Sequence, residues 1–404
     1  MTQLRSGVTL LLAVLASAGC VSRHGTNSAV PWDMQSLEQA PVVHPAPDFE
    51  AEGVKSLFYE GLPWKGRPTR VFAWYGAPAD ATPENKAPAV VLAHGGGGTA
   101  FDEWVRVWNA RGYAAIAMDL EGTLPQGQYP SRPRHEWSGP MRSNEFADLE
   151  LPEEDQWYYH AVANMVLAHS LLRSFPEVDA DRIGLTGISW GGILTCTTVG
   201  VDHRFRFAIP VYGCAYVGEM PVFQKRWQQL SPDAVDQWMN TWDPAVWLPR
   251  ARMPMLWLNG ANDPHFPLNT YARSYALVTG SKVLSIKPGM YHGHIPGWEP
   301  EEIYAYADSV VRDGAPLAEV LAQGVRANRV WATYESVVPI KRAELVYAKD
   351  VSDWKECQWL KQQATIDVTN SEVEAPYPAD CKAWFFNVID ARGLIVSSAL
   401  EICQ

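Results

Sequence analysis

Ser189 stands in Gly187-Ile188-Ser189-Trp190-Gly191, a G-x-S-x-G stretch of the kind that presents a serine as a nucleophile. A serine hydroxyl attacks poorly at neutral pH unless a base takes its proton, and that base needs an acid to orient it. Where a strand–turn–helix lifts the serine out of a sheet, the acid comes later in the chain and the histidine last. Asp263, in Asn259-Gly260-Ala261-Asn262-Asp263-Pro264, sits just after an apolar run. Its other reading is a turn aspartate ahead of proline. Pro288-Gly289-Met290-Tyr291-His292-Gly293-His294 offers two histidines. The Pro-Gly-x-x-His arrangement favours His292 as the base, with His294 as the alternative. His-x-His is also a metal-ligand spacing, but no carboxylate or cysteine cluster accompanies it, so no metal is expected.

Attack on a carbonyl makes a tetrahedral oxyanion, which needs N–H donors already in position. The N–H after the nucleophile, that of Trp190, is one expected donor. The run His94-Gly95-Gly96-Gly97-Gly98 is the expected source of the other, with Gly96 ahead of Gly97. A glycine run can also cradle phosphate, yet neither G-x-x-x-x-G-K-[ST] nor G-x-G-x-x-G is present. No cofactor is expected.

These residues are useful only if elements of the right kind carry them. Residues 87–94 and 114–120 read as strands buried on both faces, the first a continuous apolar run, and 181–187, 206–213 and 254–260 read as further strands. Helical patterns separate them, so the sequence predicts a doubly wound, mostly parallel α/β sheet with functional loops at the strand C-termini. Ser189 then falls between a strand ending at Gly187 and a helix starting at Trp190. Two long excursions, 121–154 and 215–252, interrupt the alternation. Loops of that length inside a domain are usually functional. Trp137, Trp227, Trp238 and Trp242 lie in them and are candidate stacking platforms for substrate, with core packing as the competing reading. From about residue 319 short alternating strands predict a small β-sandwich.

A formal net charge of −12 argues against a nucleic-acid partner, which would require a basic surface. The N-terminus, MTQLRSGVTLLLAVLASAGC, has one early cation and a short apolar run, the layout of an export signal. Ala16-Ser17-Ala18 fits ordinary signal cleavage. Ala18-Gly19-Cys20 resembles a bacterial lipobox, and the proline-dotted stretch that follows suits a tether, so lipidation at Cys20 is the favoured reading. The expected layout is a signal at 1–20, a tether at 21–50, a catalytic domain at 51–318 and the β-sandwich at 319–404. The protein is thus expected to be exported, as an envelope lipoprotein or a periplasmic or secreted protein. A bridge among Cys357, Cys381 and Cys403 is expected in an oxidising compartment, without a defined pairing.

The stretches HGGGG, GISWGG, NGANDPHFP and HGH resemble the α/β-hydrolase superfamily. The longer runs VDADRIGLTGISWGG, IPVYGCAY and MYHGHIPGWEPEEIYAYADS are similar to its acetyl xylan esterase and dienelactone hydrolase-like branch, related to prolyl-oligopeptidase catalytic domains. The resemblance spans about residues 85–313. It implies a serine nucleophile at Ser189, the acid at Asp263 and the base at His292 or His294. Dienelactone hydrolases often use cysteine, so serine here points to ester or peptide hydrolysis. The expected activity is a carboxylic ester hydrolase acting on a small-molecule or polysaccharide ester, most simply an acetylated carbohydrate. An exported prolyl-oligopeptidase-type peptidase is the alternative, disfavoured because fewer than 100 residues precede His94. A glycan-binding protein on a spent hydrolase scaffold is the third.

Overall fold

The computed structural model describes residues 30–142 and 146–403. The expected signal segment and Cys20 lie outside the described residues. Nine strands build the catalytic sheet in chain order: β1 (Val43–Pro45), β2 (Lys55–Trp64), β3 (Arg67–Gly76), β4 (Ala87–Ala93), β5 (Ala114–Met118), β6 (Val178–Ile188), β7 (Phe207–Val211), β8 (Met255–Gly260) and β9 (Lys282–Lys287). They lie side by side as β1-β2-β3-β5-β4-β6-β7-β8-β9. The six from β5 to β9 run parallel. Every residue of β4, β5, β7 and β8 is buried, which is why they read as unbroken apolar runs. β2 and β3 instead form an antiparallel hairpin closed by Lys65 and Gly66, both at positive φ.

The chain runs from β4 to β5 on one side and then crosses back to β6 on the other. The C-terminal end of β4 is therefore the point where strand order reverses, the usual ligand crevice of an open α/β sheet. The glycine run and the serine turn flank that point.

Four helices need labels here: α1 (Met34–Leu37), α2 (Asp102–Asn109), α3 (Trp157–Ser174) and α4 (Trp190–Thr198). α3 is apolar almost all round, the pattern of a helix covered on both sides. Its outer cover is the stretch expected to be a tether. Trp32 stacks on Tyr159 with centroids 5.5 Å apart, and its indole N–H donates to the Tyr159 carbonyl. The Ser170 hydroxyl donates to the Leu37 carbonyl at 2.7 Å, and β1 pairs with β2. From Trp32 onward the expected tether is thus part of the fold. Its prolines obscured the two buried anchors, Trp32 and Leu37.

Past the catalytic strands lie β10 (Glu319–Arg326), β11 (Arg329–Glu335), β12 (Ile340–Ala348), β13 (Leu360–Gln363), β14 (Thr365–Asp367), β15 (Glu372–Pro376), β16 (Ala383–Asp390) and β17 (Ile395–Ser397). β10-β11-β15-β14 make a separate antiparallel sheet, one layer of the expected sandwich. The other layer continues the catalytic sheet, because β17 pairs with β9 at Ser397 and Leu284. A polar seam fixes that junction. The Ser397 hydroxyl accepts the Ile286 N–H at 2.7 Å and donates to Asn387 Oδ1, while Asn387 donates to the Ile286 carbonyl. The boundary expected at 318/319 is therefore crossed by a hydrogen-bonded sheet. Of the three late cysteines, Cys381 and Cys403 have Sγ atoms 3.6 Å apart, whereas Cys357 Sγ faces the Asp350 carbonyl.

Candidate active site

β6 ends at Ile188 and α4 begins at Trp190, so the whole turn between them is Ser189. Its backbone is forced to φ 58° and ψ −115°, an unfavourable region for a side-chain-bearing residue. The turn is this sharp because strand and helix touch. A Cβ on Gly187 would lie 2.1 Å from the Gly191 carbonyl oxygen, and one on Gly191 would lie 2.0 Å from that of Ala93. The Ser189 N–H is held by the Val211 carbonyl at 3.0 Å, and its own carbonyl starts α4 by accepting from Ile193. Ser189 thereby stands at a helix N-terminus, where the first-turn N–H groups, that of Trp190 included, have no partner within the helix and favour negative charge.

His292 Nε2 lies 3.1 Å from Ser189 Oγ, and His292 Nδ1 lies 2.7 Å from Asp263 Oδ2. Buried Asp263 accepts at Oδ2, so Nδ1 carries the proton and the Nε2 lone pair faces the serine. Asp263 Oδ1 meanwhile accepts the N–H groups of His265 and Phe266 at 2.9 and 2.8 Å. Both readings of Asp263 therefore hold: one oxygen makes the turn and the other orients the imidazole. Three rings cage that imidazole. Tyr212 lies 4.4 Å away, His265 meets it edge-on at 4.6 Å, and Phe266 is nearly parallel at 5.8 Å.

His294 faces elsewhere. Its Nε2 accepts the Gly95 N–H at 3.1 Å, and its ring packs on Phe101. Burial, with His94, His292 and Arg132 adding repulsion, pulls its pKa down to about 4, so it is neutral near pH 7. Of the two histidines in the motif, His292 is the one in reach of Ser189.

A cleft of about 320 Å³ opens over Ser189. Gly96, Gly97 and Trp190 line it, so all three expected oxyanion donors border the site. Tyr129, Phe223 and His265 form other parts of its wall. Arg142 also lines it and makes a buried ion pair with Glu121 at 3.1 Å. Among the described residues, no group of three His, Cys, Asp or Glu side chains is arranged to hold a metal ion.

The tryptophan expectation is corrected. Trp227, Trp238 and Trp242 are buried at 6%, 2% and 1% exposure. Trp227 stacks on Phe146 at 3.6 Å, and Trp238 and Trp242 both pack against Tyr158. They are core, because indoles this enclosed have no face left for a ligand. Trp137 is half-buried outside the cleft lining, with the Arg70 guanidinium over its ring at 4.6 Å. Sequence reasoning missed His265 and Phe266, although both lie in the NGANDPHFP stretch. It also missed Tyr129 and Tyr212, whose roles depend on tertiary neighbours.

The acetyl xylan esterase family model matches residues 32–223, and that of the PhoPQ-activated pathogenicity-related proteins matches residues 194–315. An uncharacterised peptidase of Bacillus subtilis, YuxL, is 26% identical over 212 residues, covering 49% of this chain and 29% of that protein. Dipeptidyl-peptidase 5 of Porphyromonas gingivalis is 27% identical over 43% of this chain and 22% of its own length. The chain therefore spans less than a third of those curated relatives. Among solved structures, an acetyl xylan esterase from Paenibacillus sp. R4 superposes with a TM-score of 0.56 at 20% identity, covering 69% of this chain and 92% of that one. That likeness bears on the fold. Strand order, the reversal at β4 and the superposition together give this chain the α/β-hydrolase fold, and its similarity to the acetyl xylan esterase family runs over residues 32–223.

Proposed function

We propose that the chain is an exported serine esterase that deacetylates carbohydrate through an acyl-enzyme. The observation that carries this reading is the hydrogen-bonded run from Ser189 through His292 to Asp263, beside a glycine loop. In the first half-reaction Ser189 Oγ attacks the ester carbonyl carbon while His292 Nε2 takes the hydroxyl proton. The carbonyl oxygen becomes an oxyanion, received by the Trp190 N–H and by Gly96 or Gly97. Collapse breaks the ester C–O bond, and His292 returns its proton to the departing sugar hydroxyl. In the second half-reaction water replaces the sugar. His292 deprotonates it, and as the acyl–Ser189 bond breaks His292 returns that proton to Ser189 Oγ, so acetate leaves with the serine restored. Asp263 stays ionised throughout and stabilises the imidazolium.

The family match supports an ester substrate, as does the cleft, which suits a short acyl group with part of a sugar ring. The test compares wild type with Ser189→Ala on p-nitrophenyl acetate and on acetylated xylan, alongside fluorophosphonate labelling mapped to a peptide. Label on Ser189 and a loss of kcat of about 10⁴-fold or more are expected. Equal rates in the two proteins would sink the role of Ser189. Unreleased acetate from every acetylated glycan would sink the carbohydrate part.

A second reading is kept because the curated relatives are peptidases. On that reading the same acyl transfer opens a peptide bond. A panel of dipeptidyl chromogenic amides decides between them, and turnover there above that on acetyl esters would favour the peptidase.

A further inference from the structure

The glycine loop is held from outside by three side chains that grip its backbone. The first is His94, whose Nε2 accepts the Leu120 N–H at 2.9 Å. That leaves the proton on Nδ1, which donates to the Gly95 carbonyl at 2.7 Å. The same carbonyl also accepts the Gly98 N–H at 3.0 Å. The second is His294, whose Nε2 accepts the Gly95 N–H. The third is Arg132, from the 121–154 excursion, whose Nη1 donates to the Gly97 and Gly98 carbonyls at 2.8 and 2.6 Å. The Gly95, Gly97 and Gly98 carbonyls are thus all drawn to donors outside the cleft. The Gly95 N–H is already committed to His294, which leaves Gly96 and Gly97 as the loop's cleft-lining donors.

An oxyanion donor is worth most when its direction is set before the reaction, because reorienting it then costs nothing. A four-glycine loop is the least able backbone to set its own direction. We propose that Arg132 and His294 are positioning residues that hold the glycine loop with its Gly96–Gly97 N–H groups toward the substrate oxygen. The long excursion, on this account, serves the reaction by bracing the loop. This inference rests on the esterase reading of Ser189.

The close fit of the brace explains Gly98. A Cβ there would sit 2.6 Å from His294 Nε2 and 2.8 Å from His94 Nδ1, so any side chain would push the two imidazoles apart.

The test uses full-length wild type, His294→Leu, His294→Gln and Arg132→Met on p-nitrophenyl acetate, with fluorophosphonate labelling and Tm measured in parallel. Glutamine can present its amide oxygen near the place of Nε2, and leucine cannot accept a hydrogen bond. His294→Leu and Arg132→Met are expected to lower kcat about 10- to 100-fold with KM within about twofold, the cost of a misplaced donor. His294→Gln is expected to keep kcat within about threefold of wild type. If the leucine variant does not fold, Arg132→Met carries the test, since its partly exposed side chain leaves the core intact. Wild-type kcat in Arg132→Met, or equal losses in the glutamine and leucine variants, would overturn the brace. Absence of label on wild-type Ser189 would instead overturn the esterase reading, which keeps the two failures distinct.

Discussion

The two excursions, 121–154 and 215–252, leave the same edge of the sheet but meet the site with opposite chemistry. The first delivers polar tips, with Arg132 on the glycine-loop carbonyls and Arg142, paired with Glu121, in the cleft lining. The second delivers mostly bulk, with Arg226 beside Val222 and Phe223 in the cleft lining. Trp227, Trp238, Trp242 and Trp247 are buried, and Trp32 packs against both Trp242 and Trp247 at 5.8 and 5.6 Å. Even its buried carboxylate, Asp243, works inward, accepting the Tyr216, Val217 and Ala245 N–H groups. Phe223 is its aromatic in the cleft wall. A tryptophan-rich insertion over an active site thus forms a second small core that pins the N-terminal segment. The polar, proline-rich insertion instead reaches the glycine loop through Arg132.

That contrast predicts a dissociation between stability and activity. Trp238→Ala removes a ring packed between Phe146, Tyr158 and Trp227. It is expected to cost about 3–5 kcal/mol of stability, the range for a large aromatic cut from a core. The protein that remains folded should retain kcat near wild type. Arg132→Met should do the reverse. Denaturant unfolding with activity corrected for folded fraction measures both. A folded Trp238→Ala protein whose KM for glycan rose tenfold would restore that tryptophan as a substrate contact.

Much of this was readable in the sequence, for physical reasons. Strands buried on both faces must be apolar without alternation, so β4, β5, β7 and β8 declare themselves. A nucleophile on a one-residue turn demands glycine on either side, so Ser189 does too. Asp263 and His292 could be picked out because each follows a strand in the chain order expected for this topology, and the structure sets both within hydrogen-bond reach, His292 of Asp263 on one side and of Ser189 on the other. What stayed hidden depends on partners distant in sequence. Nothing in the string Tyr129-Pro130-Ser131-Arg132 says that its guanidinium meets Gly97, and an indole's burial depends on what closes over it. The β17–β9 junction was equally silent, because it rests on one residue pair and the polar seam of Ser397 and Asn387.

Acid should act on His160, in α3 just past the first excursion, and on Asp243, in the second, in opposite senses. His160 lies just past the first, where its Nε2–H donates to the Glu154 carbonyl at 2.9 Å. Burial brings its pKa down to about 4. Its contribution is complete above the unfolded value of about 6.5 and is lost as pH falls toward 4, because only the unfolded chain then binds the proton. Asp243 has its pKa raised, first by burial, so proton uptake there favours the folded state as pH falls. Between pH 7 and pH 5, hydrogen exchange corrected for its intrinsic rate should accelerate around His160 by less than about 3 kcal/mol of opening energy, less the opposing contribution of Asp148, whose carboxyl pKa burial also raises, while 215–247 holds. Faster opening of the second segment would reverse the assignment.

The smallest effect belongs to the one tryptophan of the first excursion. Trp137 carries the Arg70 guanidinium over its ring, its carbonyl accepts the Arg70 N–H at 2.8 Å, and its side chain faces away from the cleft lining. The carbonyl bond survives substitution, so Trp137→Ala loses only a half-exposed cation–π contact, about 0.5–1 kcal/mol. KM and kcat for both p-nitrophenyl acetate and acetylated xylan should stay within about twofold of wild type. The polymer matters here, because a long glycan extends beyond the cleft and could reach a distant ring that the small ester never meets. A KM that rose for xylan alone would mean that the first excursion grips substrate as well as the glycine loop, and the division of labour between the excursions would have to be redrawn.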